Sequence, residues 1–286
     1  MERTTPGLTG NNKGSFFMLK HKVLLVLAIS AMISASQAQT AHVMPGKWYD
    51  NIVLATDNNQ PIADSVKTRF NVTADDEALI VKIEMKDPNA KDIRSLPKGK
   101  DGQWSRCDSI EIFLDPGRTC ANYQQVAVFA NYSKWDRRWD KKLKTSWTYS
   151  LKINDDSWSV EVRLPFSDPG MVKPKTGDIW GFNVCRNVKN PKTGDFFSTW
   201  AHVGTVFNRP ERFGMLVFGS PEEAEKALRQ KVAKALSELI AELKQKGIEQ
   251  EFSAQLKKMK KSCTEMDIRD IRDEMLVIEN MKGLKK

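Results

Sequence analysis

With 286 residues, 40% of them hydrophobic and 28% charged, the chain can bury a sizeable core as one large domain or two modest ones. These proportions exclude a disordered chain and a multi-span membrane protein. The net charge of +9 is not concentrated in one block; a basic balance suits nucleic acid, an anionic membrane or an acidic polymer, and which applies depends on where the protein works.

The first segment bears on that location. Lys20 and Lys22 precede the apolar run Val23 to Ile29, which continues through Ala31, Met32 and Ile33. Ser36 and Ala38 put small residues where a signal peptidase reads. Residues 1–38 are therefore expected to be an export signal with an upstream extension, starting in effect at Met18 and cleaved after Ala38. The run is too short for a permanent membrane anchor, and no cysteine stands at the cleavage point to take a lipid. The mature protein is expected to be exported, to the bacterial periplasm or outside the cell. Disulfides form in such places. Cys107, Cys120, Cys185 and Cys263 allow three complete pairings, and the sequence does not choose among them. Their spacing matches no zinc ribbon, and with three histidines in the chain a Cys/His metal site is not expected.

Residues 41–219 read as short strands separated by turn chemistry. Arg69 to Ala74 comes first. Leu79, Val81, Ile83 and Met85 then alternate with more polar neighbours, the period of a half-buried strand. Ile110, Ile112 and Leu114 repeat the pattern, and Asp115-Pro116-Gly117 ends the run with a turn. Gln124 to Asn131 and Ser146 to Ile153 follow. Asn154-Asp155-Asp156 marks a hairpin into Trp158 to Leu164. Ile179 to Val188, Phe196 to Ala201 and Met215 to Phe218 complete the series. Trp158 and Trp180, inside patterned strands, are assigned to the core. This spacing predicts a mostly β protein, an antiparallel β-sandwich of immunoglobulin-like or jelly-roll type.

Residues 220–286 switch to helical periodicity. Ser220-Pro221-Glu222-Glu223 combines a cap, a first-turn proline and acids at the positive end of the dipole. Ala224, Leu228, Val232, Leu236, Leu239 and Leu243 recur at three- and four-residue steps, and Gly247 is a stop. Phe252, Leu256 and Met259 form a second stripe, and Ile268, Ile271, Met275 and Ile278 a third. The expectation is that these amphipathic helices pack on each other or on the sandwich. Helix-mediated self-association, as a coiled coil, is the alternative, although the heptads are broken.

One stretch carries a resemblance. Trp104-Ser105-Arg106-Cys107-Asp108-Ser109-Ile110-Glu111-Ile112-Phe113-Leu114-Asp115 is similar to the signature strand of family 9 carbohydrate-binding modules. Phe70 to Val81, Trp158 to Phe166, Gly177 to Val184, Ser198-Thr199-Trp200 and Phe213-Gly214 resemble further pieces of that family, in the same order. The resemblance implies a non-catalytic protein whose partner is a carbohydrate, with a terminal sugar clamped between Trp104 and Trp200 and hydrogen-bonded by Glu111. Flat rings for the faces of a pyranose and fixed polar groups for its rim are what a sugar demands. The family's arginine falls at Ala127 in this chain, so Arg186 is the expected replacement cation and Gln125 a neutral partner. Structural calcium is implied by the resemblance alone; no EF-type loop is present.

Other functions find less in the sequence. Lys134 to Lys144 interleaves basic residues with Trp135 and Trp139, a pattern that suits nucleic acid in a cytosolic protein. In an exported one it is expected to be a solvated loop whose tryptophans cover the sandwich edge, or a contact for an anionic glycan; no nucleic acid partner is expected. An enzyme would need paired carboxylates, but Asp108 and Glu111, three apart on a strand, point to opposite faces. Two alternatives stay open: a structural or interaction protein with a degenerate sugar site, and a haem-binding relative using His202 with Met85 or Met215.

Overall fold

The computed structural model describes residues 39–93, 107–137, 144–190, 192–245, 247 and 249–265. Its strands are, in chain order, β1 (Thr40–Val43), β2 (Trp48–Tyr49), β3 (Val53–Leu54), β4 (Thr68–Ala74), β5 (Ala78–Lys86), β6 (Ser109–Asp115), β7 (Gln124–Phe129), β8 (Lys134–Arg137), β9 (Thr148–Ile153), β10 (Ser157–Pro165), β11 (Ile179–Val188), β12 (Phe196–Thr199) and β13 (Gly214–Phe218). A single turn of helix, α1 (Ala90–Ile93), follows β5. One sheet runs β2-β4-β5-β10-β9; the other runs β1-β13-β11-β6-β7-β8, with β12 and β3 extending from β11. The result is the expected mostly β sandwich. It departs from a purely antiparallel one at β1, which pairs parallel with β13 from Thr40↔Met215 to Val43↔Phe218.

The alternation on β5 resolves as expected. Leu79, Val81, Ile83 and Met85 are buried while Lys82 and Lys86 are exposed. Strand β10 matches it across the register Val162↔Val81 and Val160↔Ile83, so β-branched residues stack on one face of the pleat. The Asn154 signal is a tight hairpin: its N–H donates to Ser157 O at 2.8 Å, joining β9 to β10. Asp115-Pro116-Gly117 turns as expected, with Gly117 at φ 77°. The Asp115 carboxylate caps the turn by accepting from the N–H groups of Thr119 and Cys120 at 3.1 and 2.8 Å.

Strand β6 is buried along its whole length, so its half-buried reading was incomplete. It lies centrally, between β11 and β7, and its outward residues are covered by side chains of both neighbours. Lys134 to Arg137 forms edge strand β8 where a loop was expected. Register places Trp135 opposite Ala127, and its ring packs on the small cluster of Cys107, Ala127 and Phe129. Trp139 and the rest of that segment up to residue 143 lie outside the described residues.

Between the sheets, Phe70 of β4 meets Phe182 of β11 at 5.6 Å and Trp200 at 5.4 Å, the latter edge-to-face. Trp200 closes the triangle on Phe182 at 5.7 Å, and its indole N–H donates to Asn51 Oδ1 at 3.1 Å. Trp158 and Trp180 are core residues, 1% and 3% exposed. Room for Trp200 depends on Gly214: a Cβ there would stand 2.3 Å from the indole Cζ3 and 2.8 Å from Gln39 O.

The β unit ends at Ala224 and a helical unit begins at Glu225. Helix α2 (Pro221–Gln245) starts at a reciprocal cap, in which Glu223 N–H donates to Ser220 Oγ and Ser220 N–H to the Glu223 carboxylate. The stripe from Leu228 to Leu243 is buried, as are Leu256 and Met259 of α3 (Ser253–Glu265). The third stripe, from Ile268, and residues 1–38 lie outside the described residues. Among the described residues no helix is long and apolar enough to cross a membrane.

Because the indole and a backbone carbonyl both crowd Gly214, Gly214→Ala is expected to cost about 1–3 kcal/mol. Urea unfolding checks this; an unchanged midpoint would show that Trp200 has room to shift.

Candidate functional site

On β6 the odd residues Ser109, Glu111, Phe113 and Asp115 point away from the other sheet, and the even residues Ile110, Ile112 and Leu114 point into the sandwich. Register carries the division across. Glu111 lies between Ala127 of β7 and Cys185 of β11, both small, so neither register partner crowds its carboxylate. The diagonal neighbours reach in instead. Gln125 Nε2 donates to Glu111 Oε2 at 2.5 Å, and Asn187 Nδ2 donates to Oε1 at 2.7 Å and to Ser109 Oγ at 3.0 Å. Glu111 is 4% exposed. Burial raises its pKa above the usual carboxylate value, while the two amide donors pull it the other way.

The carboxylate floors an open recess of about 250 Å³ lined by Glu111, Phe113, Gln125, Phe207 and Asn208. Phe207 packs edge-to-face on Phe197 at 6.3 Å, and Phe197 is 44% exposed. Lys189, which pairs with Asp195 at 2.7 Å, lies over the Phe197 ring at 4.7 Å. On the other flank Tyr123 touches Phe113 at 6.1 Å and carries the Arg137 guanidinium on its face at 4.7 Å. A ring surface and fixed amide and carboxylate groups thus share one side of one sheet. A larger open cavity of about 990 Å³ borders the five-stranded sheet. Half of its charged residues are paired, Lys67 with Asp64 at 3.0 Å and Arg69 with Glu84 at 2.6 Å, and its tryptophan, Trp158, is buried and presents no open face.

Of the residues expected in the site, Glu111 and Gln125 come together; Trp200 and Arg186 do not join them. Trp200 is fully buried in the aromatic triangle between the sheets and is no wall for a ligand. Trp104 lies outside the described residues. Arg186 follows Cys185 and precedes Asn187 on β11, so the pleat sends it to the inner face, away from Glu111. There it is 0% exposed, donates from Nη1 to Val66 O and Lys86 O at 2.9 and 3.0 Å, and stands 3.6 Å from Asp87. Burial lowers its pKa to about 10 against the pull of Asp108 and Asp87. Asn187, Phe197 and Phe207 were missed. The signal for Asn187 was its distance of two residues from Cys185 along β11; the two phenylalanines left none beyond being apolar residues in a turn-rich stretch.

Asp108 and Glu111 do face opposite ways. Asp108 Oδ1 accepts from Lys189 N–H at 2.7 Å, and burial raises its pKa from 3.8 to about 6. These groups also test the calcium that the resemblance implied. Among the described residues no three acidic, His or Cys side chains converge. Asp115 and Asp168 spend their oxygens on backbone and hydroxyl donors. Asp87 and Asp108 each keep a buried oxygen without a hydrogen bond, but they flank the Arg186 guanidinium, which already supplies the positive charge. These residues do not fit calcium. Cys107, Cys120 and Cys185 are free thiols. His202 is engaged by Gln39, with Nε2 to Nε2 at 2.9 Å; Met85 and Met215 are buried on different sheets.

A carboxyl whose folded pKa lies above its unfolded value stabilises the fold fully below the unfolded value and loses that contribution as pH rises through the folded one. Wild type is therefore expected to lose stability relative to Asp108→Asn as pH rises through about 6. Urea midpoints measured for both proteins from pH 4 to 7 check this, and parallel profiles would count against it.

Comparison with known families matches the description "Carbohydrate family 9 binding domain-like" to residues 46–220, more than half of the chain. No curated protein matches. Among solved structures, the chain is similar to a family 9 carbohydrate-binding module from Caldicellulosiruptor kristjanssonii in complex with cellotriose. That match has 21% identity and a TM-score of 0.48, covering 64% of this chain and 94% of that one. A putative carbohydrate-binding protein from Bacteroides uniformis matches at 14% identity and TM-score 0.49, over 64% of this chain and 100% of that one. On the family match, this chain belongs to the family 9 carbohydrate-binding domain-like family.

Proposed function

We propose that the mature protein is an exported, non-catalytic carbohydrate-binding protein that holds a terminal sugar or short oligosaccharide in the Glu111 recess. The observation that carries this reading is the Glu111 carboxylate, oriented by Gln125 and Asn187 at the floor of a ring-edged recess. Each amide occupies one acceptor position on one oxygen. A carboxylate has about four such positions, so two remain for sugar hydroxyls. Phe207, with Phe197 beside it, offers the apolar surface on which the C–H face of a pyranose lies. Family membership supports the same ligand class.

Binding without catalysis is supported by the placement of acids. Cleaving a glycosidic bond takes two carboxyl groups flanking one bond, roughly 5–9.5 Å apart. Among the described residues lining the recess Glu111 is the single acidic one, and Asp108 is committed on the other face. Export rests on the sequence of residues 20–38 and sets an extracellular or periplasmic glycan as the ligand.

A glycan array followed by calorimetry tests the proposal. Glu111→Gln and Asn187→Ala are each expected to weaken the strongest hit about 10- to 100-fold, the equivalent of one hydrogen bond to a charged group. Arg69→Gln, on the other sheet, is expected to bind as wild type. Undiminished affinity in both recess variants, or no hit from a broad array, overturns the assignment.

A further inference from the structure

We propose that Arg137 makes this recess selective for acidic sugars, so that the glycan held against Glu111 carries a uronic carboxylate; this rests on the glycan-binding reading above. Arg137 pairs with Gln125 in the β7–β8 register, which puts it on the Glu111 face, one strand beyond the amide that touches Glu111. Its guanidinium is held in place. It lies on the Tyr123 ring at 4.7 Å and donates from Nη1 to the Tyr123 hydroxyl. Tyr123 is fixed in turn by Phe113 and Phe213, at 6.1 and 5.7 Å. An arginine oriented in this way presents its remaining donors without first losing side-chain freedom.

The charges of this face leave Arg137 uncompensated. Glu111 is held by two neutral amides and forms no ion pair with Arg137. Lys189 has Asp195. Asp136 projects from the other side of β8 and accepts from Thr145 Oγ1 at 3.0 Å. Among the described residues no carboxylate lies within ion-pair distance of Arg137. A planar fork of N–H donors matches a carboxylate in two parallel hydrogen bonds. Arg137 stands one ring outside the recess lining, on Tyr123, which touches Phe113 of that lining, a place that suits the carboxyl of a uronic sugar whose hydroxyls face Glu111. Residues 1–38 account for +3 of the chain's +9, so the mature protein keeps a net charge of +6, which adds long-range attraction for an acidic polymer.

Calorimetry on the full chain tests this with a galacturonic or glucuronic trisaccharide and the same trisaccharide after its carboxyls are reduced to alcohols. The acid form is expected to bind about tenfold tighter than the reduced form. Arg137→Gln is expected to bring the two to equal affinity without weakening the reduced form. Equal affinities in wild type, a preference that survives in Arg137→Gln, or loss of both ligands in that variant each overturn the role of Arg137 while leaving glycan binding in place. Failure of wild type to bind any glycan on the array overturns the glycan reading instead, and this inference with it.

Discussion

Strands β6 and β11 are buried on both faces, and the register between them has to satisfy polar groups on one side while packing apolar ones on the other. It does so with Val184↔Ile112 facing the core and the Glu111–Asn187 contact facing out. Arg186 complicates the inner side. It is a charge among aliphatic neighbours, held by the carbonyls of Val66 and Lys86 and flanked by Asp87 and Asp108. Removing one member of such a group strands the others without water, which costs far more than an exposed ion pair would contribute. The guanidinium therefore ties the chain before β4, the end of β5, the start of β6 and the end of β11 to one arrangement. The outer face of β6 inherits its geometry from that tie.

Much of the sandwich was legible in advance because alternation is a property of single segments. Leu79 to Met85, the Asn154 hairpin and the cap at Ser220 all depend on residues close in sequence. The short strands β1, β2 and β3 were not legible: two to four residues hold no period, and their pairing depends on partners far along the chain. Strand β8 was hidden by its charges, which an edge strand carries to discourage further pairing.

The site was half legible. Glu111 and Gln125 came from a motif and they meet. Arg186 was placed on the wrong face because a strand pattern fixes which residues share a side but not which side is the outside. One residue of parity separates Arg186, which belongs to the core, from Asn187, which holds the Glu111 carboxylate on the outer face. Trp200 misled for a related reason. A tryptophan after a strand can close a core or wall a site, and the choice lies with Gly214, whose missing side chain admits the indole between the sheets. The Glu111 face does carry an arginine, Arg137, two strands away on β8, which the sequence presented as loop.

Asp108, just before β6, and Glu111 within it show what burial does to a site of this kind. Asp108 and Glu111 are both nearly inaccessible and both pushed towards the neutral form, yet they answer to different surroundings. Asp108 has a backbone N–H and the Arg186 charge and serves the fold. Glu111 has two neutral amides and an opening, and each amide fills only part of an oxygen's capacity. A carboxylate so placed costs stability in the free protein, since its desolvation is incompletely offset. A ligand that brings hydroxyl donors into the recess supplies what is missing. The aromatic triangle and the long paired strands tolerate this local deficit, and under the proposed function it is this deficit that a polyhydroxylated ligand would fill.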